Sequence, residues 1–479
     1  MKTFDLAELL RDYPPEAQVG AATVRAAADA NPAEPVFVVL DDDPTGTQSI
    51  AGLPVLTRWE KRDLEWALAQ GSPAIYVMTN SRSLSAADAE RINIDVADAA
   101  LAVARENNLR VTFVSRSDST LRGHFPLEPD TLADRVEAHG EGVNGIIIVP
   151  AFGDAGRITI GGVHYAGDGT GDFILVGESE FADDATFGYT SSDLGAWVEE
   201  KTGGRIAAGD VIRLTLDTIR SGAKRIAEVL LRADHRQPIV ADAVTENDLR
   251  QLSLGIIEAE SAGAHFIYRV GPPFMRARIG QEVPRPLDAA AVGRACTAAV
   301  DTLGGLIVVG SHVPTTTRQL GALMEAGGAR VIELDVRRVL SEGSAGYLDE
   351  LAGCVIAELQ RGNVVLHTSR ELVTGADAEE SLSIARSVSA ALIHIVNITV
   401  YAVTPRFVIA KGGITSSDVA SRGLEMTRAT VVGPMQPGII SMWRLDDGPA
   451  AGVPYIVFAG NVGNDRSLVD VVSTLSRAQ

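Results

Sequence analysis

With 479 residues, 46% hydrophobic and 22% charged, the chain has apolar material for more than one domain core. A formal net charge of −20 repels nucleic acids and anionic lipid surfaces, so neither is expected as a partner. Only Cys296 and Cys354 are present, which excludes a disulfide framework and a cysteine-rich metal site.

Residues 4 to 30 read as an alanine-rich helical lead, interrupted at Pro14-Pro15. The run Val36 to Leu40 follows, five apolar residues that suit a strand buried on both faces. It ends in Asp41-Asp42-Asp43, and Pro44 and Gly46 turn the chain. Further strands are expected at Ala74–Met78, Val111–Val114 and Gly145–Val149, with helical patterns between them. Strands alternating with helices mean βαβ units and a mostly parallel sheet. Polar residues collect just after these strands, at Thr79 to Ser83 and Ser115 to His124, where an open α/β sheet binds its ligands. Residues 153 to 192 break the alternation and predict a β-rich insertion. Pro238 to Asp242 resumes it, and Gly271 to Pro286, with four prolines, predicts the domain boundary.

A second α/β run has strands at Gly305–Val309, Ala329–Leu334, Asn363–His367, Arg406–Ala410 and Tyr455–Phe458. The fold class is therefore α/β in two domains, 1–285 and 286–479, each with a mostly parallel sheet flanked by helices. The opening residues lack a signal peptide's apolar core, and Ser387 to Pro405 carries enough polar residues to argue against a membrane span. A cytoplasmic protein is expected, with a homodimer left open.

The two halves carry opposite chemistry. In the first, Asp42 or Asp43 suits a base that takes a hydroxyl proton, with neighbouring acids helping to hold Mg²⁺. Arg82, Arg116, Arg122 and Arg157 lie beyond strands among Ser, Thr and Asn, which suits capture of a small carboxylate. A local ion pair is the commoner fate of any single arginine, and for Arg116 the two readings weigh equally because Asp118 is near enough to pair with it. In the second half three strand-to-turn junctions are rich in Gly: Gly310-Ser311, Gly412-Gly413-Ile414-Thr415 and Gly460-Asn461-Val462-Gly463. Bare backbone amides there suit phosphate, and Ser416 to Asp418 is expected to cap the next helix. No Walker A sequence and no complete dinucleotide fingerprint occurs. A carboxylate-and-polyol pocket beside a nucleotide pocket is the layout of a small-molecule kinase.

The motif Asp42-Asp43-Pro44-Thr45-Gly46 resembles the opening of the four-carbon acid sugar kinases, which pair a sugar-acid-binding N-terminal domain with a nucleotide-binding C-terminal domain. Ser115 to Gly123 is similar to their second substrate-side motif, and the three Gly-rich turns fall in the family's order. The resemblance implies an ATP-dependent kinase acting on threonate, erythronate or 3-oxo-tetronate. It puts Asp42, Asp43, Arg82 and Asp118 toward substrate, and Thr45, Gly46 and Ser119 beside them are further candidate substrate contacts. It puts Ser311, Gly412, Gly413, Ile414, Thr415, Gly460 and Asn461 toward ATP. Many members carry an aromatic or aliphatic residue where Pro44 stands, and Glu where Ile414 stands. The alternative is a sugar-acid and nucleotide-binding regulatory protein that transfers nothing.

Overall fold

The computed structural model describes residues 2–167, 170–341, 344–371, 373, 375 and 378–478. The chain divides into two compact units, Met1–Ile50 with Arg58–Val283, and Ala51–Thr57 with Pro284–Gln479. Expected in the first domain, residues 51–57 belong instead to the second unit, where Pro54–Leu56 pairs antiparallel with Arg428–Gln436.

Seven parallel strands make the first unit's sheet, in the order Ala74–Met78, Val36–Asp41, Val111–Arg116, Phe266–Val270, Gly145–Val149, Gln237–Ala241 and Ile212–Leu214. The inner strands are buried along nearly their whole length. That is why they are continuous apolar runs and not alternating ones. The chain leaves Val36–Asp41 for the neighbour on one side, then returns to place Val111–Arg116 on the other. Strand order reverses there, so the ligand crevice of such a sheet opens beyond Asp41 and Arg116. These two residues are cross-strand partners.

The insertion is β-rich. Arg157–Ile160, Val163–Gly167 and Phe173–Leu175 form a three-stranded antiparallel sheet, and Phe4 bridges to Phe173. The proline-bearing segment begins differently from expectation. Pro272–Arg278 is a helix with every residue buried, started by prolines in its first turn. Its Arg278 is fully buried between Glu34 and Glu260, each at 2.5 Å. A segment held by two buried ion pairs is part of a core, and the break between units follows Val283.

In the second unit the order is Ala329–Leu334, Asn363–Thr368, Leu306–Val309, Val408–Lys411, Pro454–Phe458, Ile440–Leu445, Arg428–Gln436 and Pro54–Leu56. The first five run parallel and the rest antiparallel. Here too the order reverses beside one strand, Leu306–Val309, so its crevice opens beyond Val309 and Lys411. The core packs Ile307, Val365, Ile409 and Ile456 with Leu320, Leu323, Leu468 and Val472. The helix Ala378–Ala402 contains one stretch, Ser383–Ala402, with mean hydropathy 1.4. By length and composition alone this could cross a membrane, contrary to the reading of its polar residues. In the fold it packs against Ser344–Leu359 and buries Leu392, Ile395, Val396 and Val400.

Candidate functional site

The acidic turn of the first unit is an array of ion pairs. Asp41 is fully buried and paired with the buried Arg116, whose guanidinium also donates to the Asp43 carbonyl and lies 3.1 Å from Asp42. Burial raises the Asp41 pKa to about 7 against the pull of Arg116, and Asp42 and Asp43 push it the same way. Gly46 closes over this pair. A Cβ there would sit 2.3 Å from both Arg116 Nε and Asp41 Oδ1, so only glycine fits.

Arg82 grips Asp42 with a two-pronged fork, Nε to Oδ2 at 3.0 Å and Nη2 to Oδ1 at 2.7 Å. Asp43 is different. Its Oδ1 accepts from the Thr45 amide (2.9 Å) and hydroxyl (2.5 Å), while Oδ2 lies 3.8 Å from Arg82 Nη1. Its side chain is 24% exposed against 2% for Asp42. Burial works to raise its pKa, but Arg82, Arg116 and the Thr45 hydrogen bonds together hold it below the usual range.

The second substrate-side loop follows Val111–Arg116. Asp118 accepts from the Thr120 hydroxyl at 2.5 Å and Arg122 Nε at 2.7 Å, and Arg82 lies 3.9 Å away. Arg116 thus pairs with Asp41 and Asp42, and Asp118 pairs with Arg122 and Arg82, so of the two fates open to Arg116 it takes the ion pair, with a partner other than Asp118. Leu121, buried, takes a left-handed φ of 66°, a strained setting for a leucine. The insertion braces this loop from above. His164 Nε2 is 2.7 Å from the Ser119 carbonyl and Nδ1 is 2.9 Å from the Thr159 hydroxyl; Tyr189 donates to the Thr120 carbonyl at 2.7 Å. Burial lowers the His164 pKa to about 4, so the imidazole is neutral.

Of the four expected arginines, Arg82, Arg116 and Arg122 are ion-paired. Arg157 has no ion pair among the described residues. Its Nη1 donates to the Ala155 carbonyl, its buried Nε has no partner, and its guanidinium and that of Arg122 lie 5.4 and 5.3 Å from the Phe181 ring centre. Among the described residues no group of His, Cys, Asp or Glu converges to hold a metal ion. The acids of the turn alternate with guanidinium groups, so no cluster of unpaired carboxylates is built there for a metal ion among the described residues.

Beneath the turn lies a network whose role is not apparent from sequence. Glu128 accepts from Ser81, Ser115 and Arg269, and the Arg269 guanidinium lies 2.8 Å from where a Gly123 Cβ would be. Glu128 and Arg269 sit in a helix and a strand that read as ordinary core, so only the paired charges mark them.

In the second unit three turns converge. A Cβ on Gly310 would lie 2.3 Å from Thr415 Oγ1, one on Gly412 would lie 3.2 Å from Ser311 Cβ, and one on Gly460 would lie 2.5 Å from Ser311 Oγ. Gly412 also has φ +128°, open only to glycine. Ser311, Gly412, Thr415 and Gly460 are thus brought together, with Gly413 opening the short helix Gly413–Asp418. Ser416 to Asp418 lie inside that helix and do not cap it. Ile414 is 68% exposed and Asn461 is exposed in its turn. Thr316 Oγ1 donates to the Gly460 carbonyl at 2.8 Å, tying the third turn to the helix Pro314–Ala326. Lys411 does the same from below. It is fully buried and donates to the carbonyls of Ala459 (2.7 Å) and Gly460 (3.3 Å), and burial lowers its pKa to about 7. Beside the turns a cavity of about 300 Å³ is lined by Gly310, His312, Val336, Leu392, Ile414 and Thr415 among others. A small-sided cradle next to a mostly apolar slot fits a nucleotide's phosphates and base.

Two open α/β units, one with a charged polar crevice and one with a glycine-lined cradle, define a two-domain ligand-binding protein. Residues 37–278 match the family model described as a sugar-binding N-terminal domain, and residues 306–468 that of a nucleotide-binding C-terminal domain. The chain belongs to the four-carbon acid sugar kinase family. Among solved structures it resembles a Salmonella typhimurium LT2 protein provisionally described as a tRNA synthase, at 18% identity and a TM-score of 0.66, covering 91% of this chain and 98% of that one. It also resembles a Haemophilus influenzae protein from a family described as a domain of unknown function. That match has 20% identity and a TM-score of 0.62, and covers 91% of this chain and 100% of the other. Both likenesses bear on fold alone. No curated protein matches the sequence.

Proposed function

We propose that this chain is an ATP-dependent kinase that phosphorylates a hydroxyl of a four-carbon sugar acid of the threonate, erythronate or 3-oxo-tetronate type. The sugar acid belongs to residues 1–285 and ATP to residues 286–479, in the cytoplasm. The observation that carries the reading is the division of labour in the acidic turn: Asp42 is saturated by Arg82 and Arg116, while Asp43 Oδ2 takes no hydrogen bond among the described residues and lies 3.8 Å from the Arg82 guanidinium. The base is therefore Asp43, and Asp42 positions Arg82. Arg157, with no acid partner among the described residues, takes the substrate carboxylate, with Arg122 and Asp118 at its side. Thr45 orients Asp43, Gly46 lets the Asp41–Arg116 pair approach the turn, and Arg116 is a buried counter-ion that does not touch substrate.

In the reaction the substrate hydroxyl oxygen forms a bond to the γ-phosphorus of ATP, the bond from that phosphorus to the β,γ-bridging oxygen breaks, and the hydroxyl proton passes to Asp43. ADP and the phosphorylated acid leave. Low basicity of Asp43 is compatible with this, because phosphoryl transfer depends chiefly on alignment and charge neutralisation. The ATP side is supported by the convergence of Ser311, Gly412, Gly413, Thr415 and Gly460, with Ile414 facing the apolar slot.

The test is ADP release from ATP across a panel of four-carbon sugar acids, with the phosphorylated product identified by phosphorus NMR. Turnover with at least one acid, lowered about 10³-fold in Asp43→Asn, is the expected result. ATP binding without turnover on any acid would instead establish the regulatory protein.

A further inference from the structure

The cradle of the second unit is neutral where it is made of glycine, yet polyphosphate needs a cation. Lys411 does not supply one, since its amine is buried and committed to two backbone carbonyls. Arg318 is paired with Asp465 at 2.8 Å, and Arg337 with Glu371 at 3.2 Å.

Arg370 remains. It lies two residues beyond the strand Asn363–Thr368, whose His367 pairs with Val309 at the mouth of the crevice. Its Nη1 donates to the Ser311 carbonyl at 2.8 Å, and its Nη2 to the Thr317 hydroxyl at 2.6 Å in the first turn of Pro314–Ala326. Its Nε is buried without a partner, and it has no ion pair among the described residues. A guanidinium has five N–H donors, so several are uncommitted. A half-buried cation with no anion is costly to maintain unless a ligand supplies the negative charge. Its neighbour His312 faces the Thr368 hydroxyl at 3.3 Å, and burial together with the charge of Arg370 lowers that imidazole's pKa.

We propose that Arg370 binds the polyphosphate of the nucleotide directly, from the side of the cradle opposite Gly412 in strand order, an inference that rests on the ATP reading above. The planar fork suits two phosphate oxygens at once, and its anchors on Ser311 and Thr317 aim it at the group those residues border.

The experiment is calorimetric titration of wild type, Arg370→Ala and Arg370→Lys with ATP, ADP, AMP and adenosine, with circular dichroism to confirm folding. Expected is a loss of about 10- to 100-fold in ATP affinity for Arg370→Ala, the size of one charge-assisted contact. The loss should shrink as phosphates are removed and vanish for adenosine, with Arg370→Lys intermediate. An equal loss for all four ligands would make Arg370 a brace of the Ser311 turn and overturn the proposal, as would unchanged ATP affinity in both variants. Wild type that binds none of the four would instead defeat the nucleotide reading itself.

Discussion

Both crevices open where strand order reverses in an α/β sheet, and they are built of opposite materials. In the first unit, ligand-facing positions are crowded with charge: Asp41, Asp42, Asp43 and Asp118 interleave with Arg82, Arg116 and Arg122, most of them buried. In the second, the corresponding strand ends carry glycine and hydroxyls, and the nearest buried cation is spent on carbonyls. A neutral-to-acidic polyol is read by fixed, directional, charge-assisted hydrogen bonds, and the acids that supply them need guanidinium partners to stay ionised indoors. A phosphate chain needs room and amide donors, for which the absence of side chains is the main requirement. The first crevice should therefore fail by losing a charge, the second by gaining an atom.

The largest effect is expected at Asp43. Asp43→Asn removes the one open carboxylate and should lower kcat by about 10³-fold, within the usual range for a general base, with KM for the acid changed little. The matching change Asp42→Asn should instead weaken acid binding or folding, since it strips Arg82 of its partner; steady-state kinetics on both separates the roles. In the second crevice Gly460→Ala puts a Cβ 2.5 Å from Ser311 Oγ, and ATP affinity by titration should fall about 100-fold while acid binding is untouched. Equal losses of both ligands would erase the contrast between the crevices. Arg157→Met should raise KM for the acid about 10- to 100-fold, the size of a charged hydrogen bond, and leave KM for ATP alone.

The smallest effect is on stability with pH. His164 is neutral in the fold with a pKa near 4, and ordinary when unfolded, so its contribution is present above about pH 6.5 and is lost as pH falls toward 4. That loss is worth up to about 3 kcal/mol. Asp41, raised to about 7, works the other way: its contribution is present at low pH and is lost as pH rises through 7. In thermal denaturation, His164→Gln should show a smaller drop in Tm between about pH 7 and about pH 5 than wild type. An equal drop would detach the insertion's brace from the site.

Strand positions and the α/β class were legible because apolar runs bounded by polar turns are local, and a parallel sheet buried on both faces writes itself as such runs. The Gly-rich turns were legible for the same reason: backbone freedom is a property of one residue. The antiparallel pair Arg428–Gln436 and Ile440–Leu445 was not, nor was the transfer of residues 51–57 to the second unit, because partner choice between strands is decided by distant chain. Charge partnership was equally hidden. Asp41, Asp42 and Asp43 are adjacent and identical in sequence, yet only the packing of Arg116 from a neighbouring strand and Arg82 from the turn after another makes one a buried raised-pKa acid, one a locked counter-ion and one a carboxylate with an oxygen free of hydrogen bonds among the described residues. A residue's type is set by the sequence, but an ion's free energy is set by what surrounds it, and that is a property of the folded neighbourhood.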